Sequence, residues 1–263
     1  MERMPASGRV VVVTGGSGSL GSAICRRFAQ DGDTVFIGYH QGEERTQTLV
    51  RDLADGPGRV VPLFLDLASS ASVDAAFARV VEQAGPVEVL INNAAYRPIG
   101  PFLSLRDEDW DAVLSINLLG AVRCCRNVLL GMRARGFGRI INISGLDALW
   151  GWGGRAHVTV AKAGLLGLTR ALAVEFAGAG ITVNSLIPGS FRTARDPRFY
   201  PEWERMRRYI VDHTPVGRQG EPHELAAWCW FLASEEAGFV TGQDIHVNGG
   251  AYPLMRNPLL TSE

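Results

Sequence analysis

The chain has 263 residues, of which 46% are hydrophobic and 20% charged, which is the composition of an ordinary globular protein with a large core. Its 26 basic and 27 acidic residues give a net charge of -1, which argues against nucleic acid or an anionic membrane surface as a partner. A small-molecule substrate of little charge is the better prediction.

The sequence carries no signal for export, membrane insertion or metal binding. The N-terminal stretch "MERMPASGRVVVVTGG" lacks the long apolar segment of a signal peptide, and no apolar run approaches the roughly 20 residues of a membrane span. The four cysteines lie in apolar, helix-like contexts without metal-ligand spacing: Cys25, Cys124, Cys125 and Cys229. We expect a cytoplasmic protein with buried, reduced thiols and no metal.

Short β-branched runs alternate with segments of helical periodicity along the chain. The predicted strands are residues 9-13, 34-38, 59-64, 87-91, 138-143, 181-187 and 243-247. The predicted helices are residues 20-30, 43-54, 70-84, 107-134, 157-178 and 222-233. This alternation predicts one α/β domain over residues 1-263, with a doubly wound parallel seven-stranded sheet and helices on both faces. The least regular segment, 189-220, is predicted to be a substrate lid.

A glycine-rich turn follows the first predicted strand. In "VVVVTGGSGSLG" the glycines, which include Gly15 and Gly21, stand directly between a strand and a helix. They let backbone N-H groups approach a pyrophosphate at the positive end of the helix, so the turn predicts a dinucleotide site. Asp66 and Asn93 follow the third and fourth strands, whose carboxyl ends are expected to line the same crevice.

From residue 8 to residue 252 the sequence resembles the classical short-chain dehydrogenase/reductase family. The matching motifs are "TGGSGSLG", Asp66, "NNAA", Asn117 in "SINLLG", Ser144 in "INISG", Lys162 in "AKAG", "IPGSFRT" and "TGQDIHVNGG". The resemblance implies a Rossmann-type sheet in the order 3-2-1-4-5-6-7 and hydride transfer between a nicotinamide and a carbonyl or alcohol. It also implies a homotetramer or homodimer built on the two long helices, 107-134 and 157-178.

The resemblance further implies which residues contact the cofactor. They are Thr14, Gly15, Ser17, Ser19, Leu20, Gly21, Tyr39, His40, Asp66, Leu67, Asn93, Ala94, Lys162, Pro188, Gly189 and Thr193. Tyr39 and His40 stand where an acidic residue would hold the ribose 2′-hydroxyl of NAD, so NADP(H) is favoured over NAD(H). Against this, Gly18 stands where many NADP-using relatives carry a basic residue.

The family's catalytic tyrosine lies four residues before the lysine, and that position here is Val158. Ser144, Asn117 and Lys162 match the other catalytic residues of the family. A valine cannot transfer a proton, so another group is needed for general acid or base chemistry.

Three side chains are candidates to replace the tyrosine. His157 lies thirteen residues after Ser144, the gap common between serine and tyrosine in the family, and its pKa suits proton transfer. Arg155 lies seven residues before Lys162, on the same helix face if the helix extends that far, and could clamp an oxyanion. Tyr96 comes from the end of the fourth strand, where it is either a proton donor or a wall of the substrate pocket.

Two tryptophans stand among glycines in "LDALWGWGGRAH". Trp150 and Trp152 suit either an aromatic or polycyclic substrate or an oligomer contact.

Three functions fit these residues. The favoured one is an NAD(P)(H)-dependent oxidoreductase with a non-standard proton donor. The second is a lyase, isomerase or hydrolase in which Arg155 and Ser144 hold an oxyanion. The third is a catalytically silent cofactor-binding protein or partner subunit.

Overall fold

The computed structural model describes residues 8-194 and 202-253. It contains a seven-stranded sheet in the order β3-β2-β1-β4-β5-β6-β7, with every neighbouring pair parallel. The strands are β1 (Val10–Val13), β2 (Thr34–Tyr39), β3 (Arg59–Phe64), β4 (Val89–Asn92), β5 (Gly138–Ile143), β6 (Ile181–Pro188) and β7 (Asp244–Val247). Both the fold class and the strand order expected from the sequence are therefore confirmed.

Helices cover both faces of this sheet. They are α1 (Ser19–Gln30), α2 (Glu43–Asp52), α3 (Ser70–Ala84), α4 (Asp107–Leu114), α5 (Gly120–Arg135), α6 (Asp147–Trp150), α7 (Ala156–Phe176), α8 (Trp203–His213) and α9 (Pro222–Leu232). One core lies between the sheet and α1 and α9, around Phe28 and Leu225. The other lies under α3 and α5, around Phe77 and Met132. All four residues of β1 are buried, because both faces of a central parallel strand are covered.

The long helix predicted over 107-134 is three segments. Between α4 and α5 lies a π-helical turn, Ser115–Leu119, which widens the helix by one residue and turns Asn117 inward. By length and composition the stretch Asp107–Arg135 could cross a membrane. Here it packs against α3, α7 and the sheet, as the core helix of a globular protein does.

Two helices were not predicted from the sequence. The segment 189-220 contains α8, where ion pairs at spacing three, such as Glu204 with Arg207, reinforce the helix. Residues 195-201 of the predicted lid lie outside the described residues. The other is the short α6, which follows β5 and carries Asp147. The remaining predicted elements agree with the structure to within two residues at each end.

Candidate active site

The glycine-rich loop between β1 and α1 forms a cradle that leads into a helix end. A Cβ at Gly21 would lie 2.2 Å from the carbonyl oxygen of Gly15, and Gly15 has a φ of +62°. Among the described residues no side chain caps α1, so the amides of its first turn remain available at the positive helix end. The loop and the first turn of α1 fit a diphosphate. They contain six residues whose cofactor contacts stay predictions: Thr14, Gly15, Ser17, Ser19, Leu20 and Gly21.

Thr14 and Asn93 tie this loop to the end of β4. The Thr14 hydroxyl oxygen accepts the backbone N-H groups of Asn93 and Ala94, both at 3.0 Å. The Asn93 amide donates to the carbonyl oxygens of Thr14 and Gly15 at 3.0 and 3.1 Å. These bonds hold the cradle open in one shape, and the predicted ribose contact of Asn93 stays a prediction.

Tyr39, His40 and Asp66 come together where β2 and β3 end. The rings of Tyr39 and His40 pack edge-on against Phe64, with centroids 6.0 and 5.8 Å away. One carboxylate oxygen of Asp66 accepts the N-H two residues further on, at 3.0 Å, and ends the strand in a turn. Leu67 is buried beside it. The structure thus groups these predicted residues at one end of the crevice.

A cavity of about 320 Å³ adjoins the glycine loop and is lined by Ser17, Arg26, Arg45 and other residues of α1 and α2. Arg26 is paired with Asp52 at 2.5 Å. Arg45 forms no ion pair among the described residues, and its guanidinium folds back over Gly42, 2.6 Å from where a Cβ would stand. Arg45 was not among the residues predicted at the end of β2, because it lies five residues past His40.

The loop after β6 reaches the same crevice from the other side. The N-H of Gly189 donates to the last residue of β7 at 3.0 Å, and Thr193 stays partly exposed. The N-H of Ala194 donates to the Ser19 hydroxyl oxygen at 3.3 Å. The loop that follows Pro188 therefore borders the start of α1, and its contact with a nicotinamide stays a prediction.

Ser144 and Lys162 lie against each other at the carboxyl end of β5. The Ser144 hydroxyl donates to the carbonyl oxygen of Lys162 at 3.0 Å, and the Lys162 ammonium donates to the carbonyl oxygen of Ile143 at 2.6 Å. Both side chains are buried. Ser144 follows β5 and bonds to α7, whereas Lys162 lies on α7 and bonds to β5. These two bonds hold the hydroxyl and the ammonium in fixed positions.

The surroundings of Lys162 make its charge costly. Burial, helped by the positive charge of Arg97, lowers the pKa of Lys162 from 10.5 to about 7, while the nearby Asp147 carboxylate works in the opposite direction. A lysine in this state can both give and take a proton near neutral pH.

Lys162 is also the only lysine among the 26 Lys and Arg residues of the chain. Every other basic position is arginine, whose guanidinium does not lose its proton in proteins. Reading the sequence for lysine alone is enough to find this, and it singles out Lys162 as the basic position with a titratable amine.

Asn117 acts on the backbone around Tyr96. Its side-chain oxygen accepts the N-H of Tyr96 at 2.7 Å, and its amide donates to the carbonyl oxygen of Tyr96 at 2.8 Å. The π-helical turn makes these bonds possible because it aims Asn117 at the loop after β4. The Tyr96 side chain itself is 41% exposed at the rim.

Val158, four residues before Lys162, is completely buried. It packs with Val113 of α4 and Ala161 of its own helix. Its position therefore supplies packing and no group that can donate or accept a proton.

His157 is buried in the same region but packs against Trp110 of α4, with ring centroids 6.0 Å apart. Neither ring nitrogen has a hydrogen-bond partner of normal geometry among the described residues. Burial lowers the pKa of His157, opposed chiefly by the carboxylate of Asp109. This position gives no support to His157 as the replacement for the tyrosine.

Arg155 lies just before α7, whose first residue is Ala156. Arg155 was predicted to share a helix face with Lys162 only if the helix extended to it, and the helix begins one residue later. Instead its guanidinium lies 3.8 Å from the carboxylate of Asp147, which also accepts a 2.7 Å bond from Arg97. The structure brings Arg155 next to Asp147, a contact that residue spacing did not reveal.

Two aromatic residues of the same loop region stand at the rim. Trp150 and Trp152 are both exposed, and the ring of Trp150 packs edge-on against Tyr252 at 6.3 Å.

Among the described residues no group of three or more His, Cys, Asp or Glu side chains is placed to hold a metal ion.

Comparison with known proteins agrees with this geometry. A family model described as enoyl-(acyl carrier protein) reductase matches residues 15-252. The acetoacetyl-CoA reductase of Rhizobium meliloti (strain 1021) is 40% identical over 245 residues, which are 93% of this chain and 98% of that protein. The 3-oxoacyl-(acyl-carrier-protein) reductase of Thermotoga maritima is 34% identical over 247 residues, 94% of this chain and 99% of that protein.

A solved structure from Agrobacterium tumefaciens, provisionally described as a gluconate dehydrogenase, is similar with a TM-score of 0.88 at 32% identity, covering 94% of this chain and 97% of that one. The parallel sheet and glycine cradle define a dinucleotide-binding enzyme of the Rossmann type. The chain belongs to the short-chain dehydrogenase/reductase family and is an NAD(P)-dependent oxidoreductase.

Proposed function

We propose that the protein is an NADP(H)-dependent reductase of a carbonyl group, in which Lys162 exchanges the proton that a tyrosine exchanges in the family. The observation that carries this proposal is the placement of the chain's only lysine, buried beside Ser144 with a pKa near 7, one helical turn from a fully buried Val158. Arginine, used at all other basic positions, could not take this part.

Ser144, Lys162 and Asn117 have different roles in the proposed carbonyl reduction. The Ser144 hydroxyl orients the carbonyl oxygen of the substrate, and the Lys162 ammonium gives that oxygen a proton and becomes a neutral amine, which regains a proton from water. A bound reduced nicotinamide supplies the hydride. Asn117 holds the backbone at Tyr96 and so shapes the wall of the cleft. A donor with a pKa near the working pH is the most effective for such a step.

The preference for NADP(H) is supported by Arg45. Its guanidinium projects toward the end of β2, where the adenosine ribose of a bound cofactor lies in Rossmann-type folds, and the adjoining cavity has room for a phosphate. Tyr39 and His40 add no negative charge there.

The first substrate to test is a 3-oxoacyl thioester, because both curated relatives are named for such compounds. The exposed Trp150 and Trp152 support an aromatic or polycyclic acyl group as a second choice. A lid function for 189-220 is supported by a cavity of about 330 Å³ lined by Thr193 and by Trp203 of α8.

The test is NADPH oxidation with acetoacetyl-CoA and a panel of aliphatic and aryl ketones. Lys162→Arg keeps the positive charge but removes the titratable amine, so turnover should fall about 10²- to 10⁴-fold. Tyr96→Phe tests the other candidate donor, since it removes only a hydroxyl at the rim, and it should keep most activity. Absence of NADPH oxidation across the panel would reject the reductase, and an active Lys162→Arg enzyme would reject Lys162 as the proton donor.

A second candidate, a silent subunit or a non-redox enzyme, is favoured by one observation, the buried Val158. Val158→Tyr tests it. If the natural chain binds NADPH without turnover and the variant gains reductase activity, the chain is a silent relative. Turnover of a substrate without any change at the nicotinamide absorbance band would instead indicate non-redox chemistry.

The proposal includes assembly as a homotetramer or homodimer through α5 and α7. It is supported by apolar side chains that these helices leave exposed, such as Leu130 at 69% and Val174 at 86%. Light scattering after size-exclusion chromatography measures the state directly. The cytoplasmic location stays a prediction.

A further inference from the structure

The guanidinium of Arg123, on α5, joins the loop after β3 to the π-helical turn. Its Nη1 group donates to the carbonyl oxygen of Leu67 at 2.7 Å and to the carbonyl oxygen of Ser115 at 3.0 Å. Its Nε group donates to the hydroxyl oxygen of Ser70 at 3.1 Å. Arg123 forms no ion pair with another described residue, so its charge-assisted bonds all go to neutral oxygen atoms.

The loop after β3 contacts both ends of the π-helical turn. At Ser115, the first residue of the turn, the contact runs through Arg123. Just past the last residue of the turn the contact is direct, because a Cβ at Gly120 would lie only 2.8 Å from the Cβ of Leu67. The helix can approach this closely only because residue 120 is a glycine. The shape of the turn is therefore tied to the position of this loop.

The same turn carries Asn117, two residues after Ser115. Asn117 is buried, and its side chain bonds the N-H and the carbonyl oxygen of Tyr96 at 2.7 and 2.8 Å. π-helical turns are rare and are frequently found at functional sites. A continuous series of contacts thus runs from the loop after β3, through Arg123 and the turn, to the wall of the candidate active site.

We propose that Arg123 is a positioning residue that couples the adenosine end of the crevice to Asn117. A nucleotide held by the loop after β3 restricts the motion of that loop, and Arg123 passes this restriction to the π-helical turn and so to the bonds between Asn117 and Tyr96. This inference rests on the proposed cofactor contacts of Asp66 and Leu67. Lysine could not replace Arg123, because only a guanidinium presents Nε and Nη1 donors in a fixed fork.

Hydrogen exchange at the amide of Tyr96 measures this coupling without any turnover. The Tyr96 N-H is bonded to the side-chain oxygen of Asn117, so its exchange rate reports on that bond. The probe is adenosine 2′,5′-bisphosphate, or adenosine 5′-monophosphate should the chain prefer NAD, because neither has a nicotinamide that could touch Tyr96. In the natural protein a saturating probe should slow exchange at Tyr96 and at residues 115-119 about tenfold.

Arg123→Gln should remove this response. In the free variant, exchange at Tyr96 and in the π-helical turn should be about tenfold faster, because a charge-assisted bond to the turn is lost. The probe should still bind, but it should add no protection at Tyr96. Arg123→Lys keeps the charge without the fork and should retain only part of the response, which keeps the test decisive should Arg123→Gln fail to fold.

Asn127→Ala is the matched control. Asn127 lies one turn after Arg123 on α5 and donates to the carboxylate of Asp74 on α3 at 2.9 Å. It therefore ties the same two helices together without contacting the loop after β3 or the π-helical turn. This variant should be less stable and should keep the tenfold protection of Tyr96 by the probe. If Arg123 served only to hold α3 against α5, Arg123→Gln would behave in the same way.

The outcomes separate this inference from the proposed function. If the probe binds and leaves exchange at Tyr96 unchanged, or protects it equally in Arg123→Gln, the coupling is wrong whatever the reductase test gives. If neither probe binds at millimolar concentration, the coupling is overturned together with the proposed contacts of Asp66 and Leu67. If the coupling is found and no carbonyl is reduced by NADPH, the role of Arg123 stands and the reductase is rejected.

Discussion

Replacing Lys162 with methionine should stabilise the folded protein at neutral pH and abolish the proposed reduction. Methionine keeps most of the length of the lysine side chain and removes the buried amine. Burial lowers the pKa of Lys162 from 10.5 to about 7. Between these values the unfolded chain therefore binds more protons than the folded one, and the stability of the natural protein rises with pH across this window.

The size of this change in stability follows from the difference between the pKa of Lys162 in the unfolded and in the folded protein. A pKa difference of one unit corresponds to about 1.36 kcal/mol. The buried amine therefore lowers the free energy of unfolding by about 4 kcal/mol at pH 7, by about 2 kcal/mol at pH 9 and by close to nothing at pH 11. The variant also loses the bond from the lysine to the carbonyl oxygen of Ile143, worth about 1 kcal/mol, which shifts the difference without changing its slope. The slope against pH is therefore the quantity to measure.

Equilibrium urea unfolding of both proteins at several pH values from 7 to 10, without cofactor and at one protein concentration, provides the measurement. Groups common to both proteins cancel in the difference; the four cysteines, whose pKa values burial raises, are among them. The advantage of the variant should shrink by about 1 kcal/mol per pH unit. A difference that stays constant with pH would refute a depressed pKa at Lys162, and with it the physical basis of the proposed proton donor.

Three further changes test other parts of the site. Arg45→Ala should raise the KM for NADPH about 10- to 100-fold and leave that for NADH unchanged, because one charge-assisted bond to phosphate is lost; equal effects on both would contradict the 2′-phosphate contact. His157→Phe should keep activity and raise the free energy of unfolding by about 1 kcal/mol, since it removes two buried ring nitrogens that have no hydrogen-bond partner of normal geometry among the described residues; loss of turnover with intact folding would restore His157 as a candidate donor. Gly21→Ala should abolish cofactor binding measured by nicotinamide fluorescence, since its Cβ would lie 2.2 Å from the Gly15 oxygen, and tight binding by this variant would contradict the cradle.

Local patterns in the sequence were sufficient for the architecture. Strand and helix periodicity are short-range properties, and the rule that parallel strands end at one edge converts them into a crevice. Two helices were not predicted. The helix α6 is only a single turn, and α8 begins next to a segment rich in Arg and Pro. The π-helical turn was not predicted because one inserted helical residue hardly changes the periodicity of the hydrophobic residues.

The sequence by itself determined the fold class, the glycine-rich turn after the first strand and the presence of Ser144, Asn117 and a single lysine, and its resemblance to a known family implied the strand order. Only the tertiary structure decided how these groups behave. It packed His157 against Trp110, buried Asp147 beside Arg97 and Arg155, and buried Lys162, whose pKa falls to about 7 as a result. A side chain's pKa depends on burial and on charges from distant parts of the chain, and neither is encoded in the spacing of residues along a strand or helix.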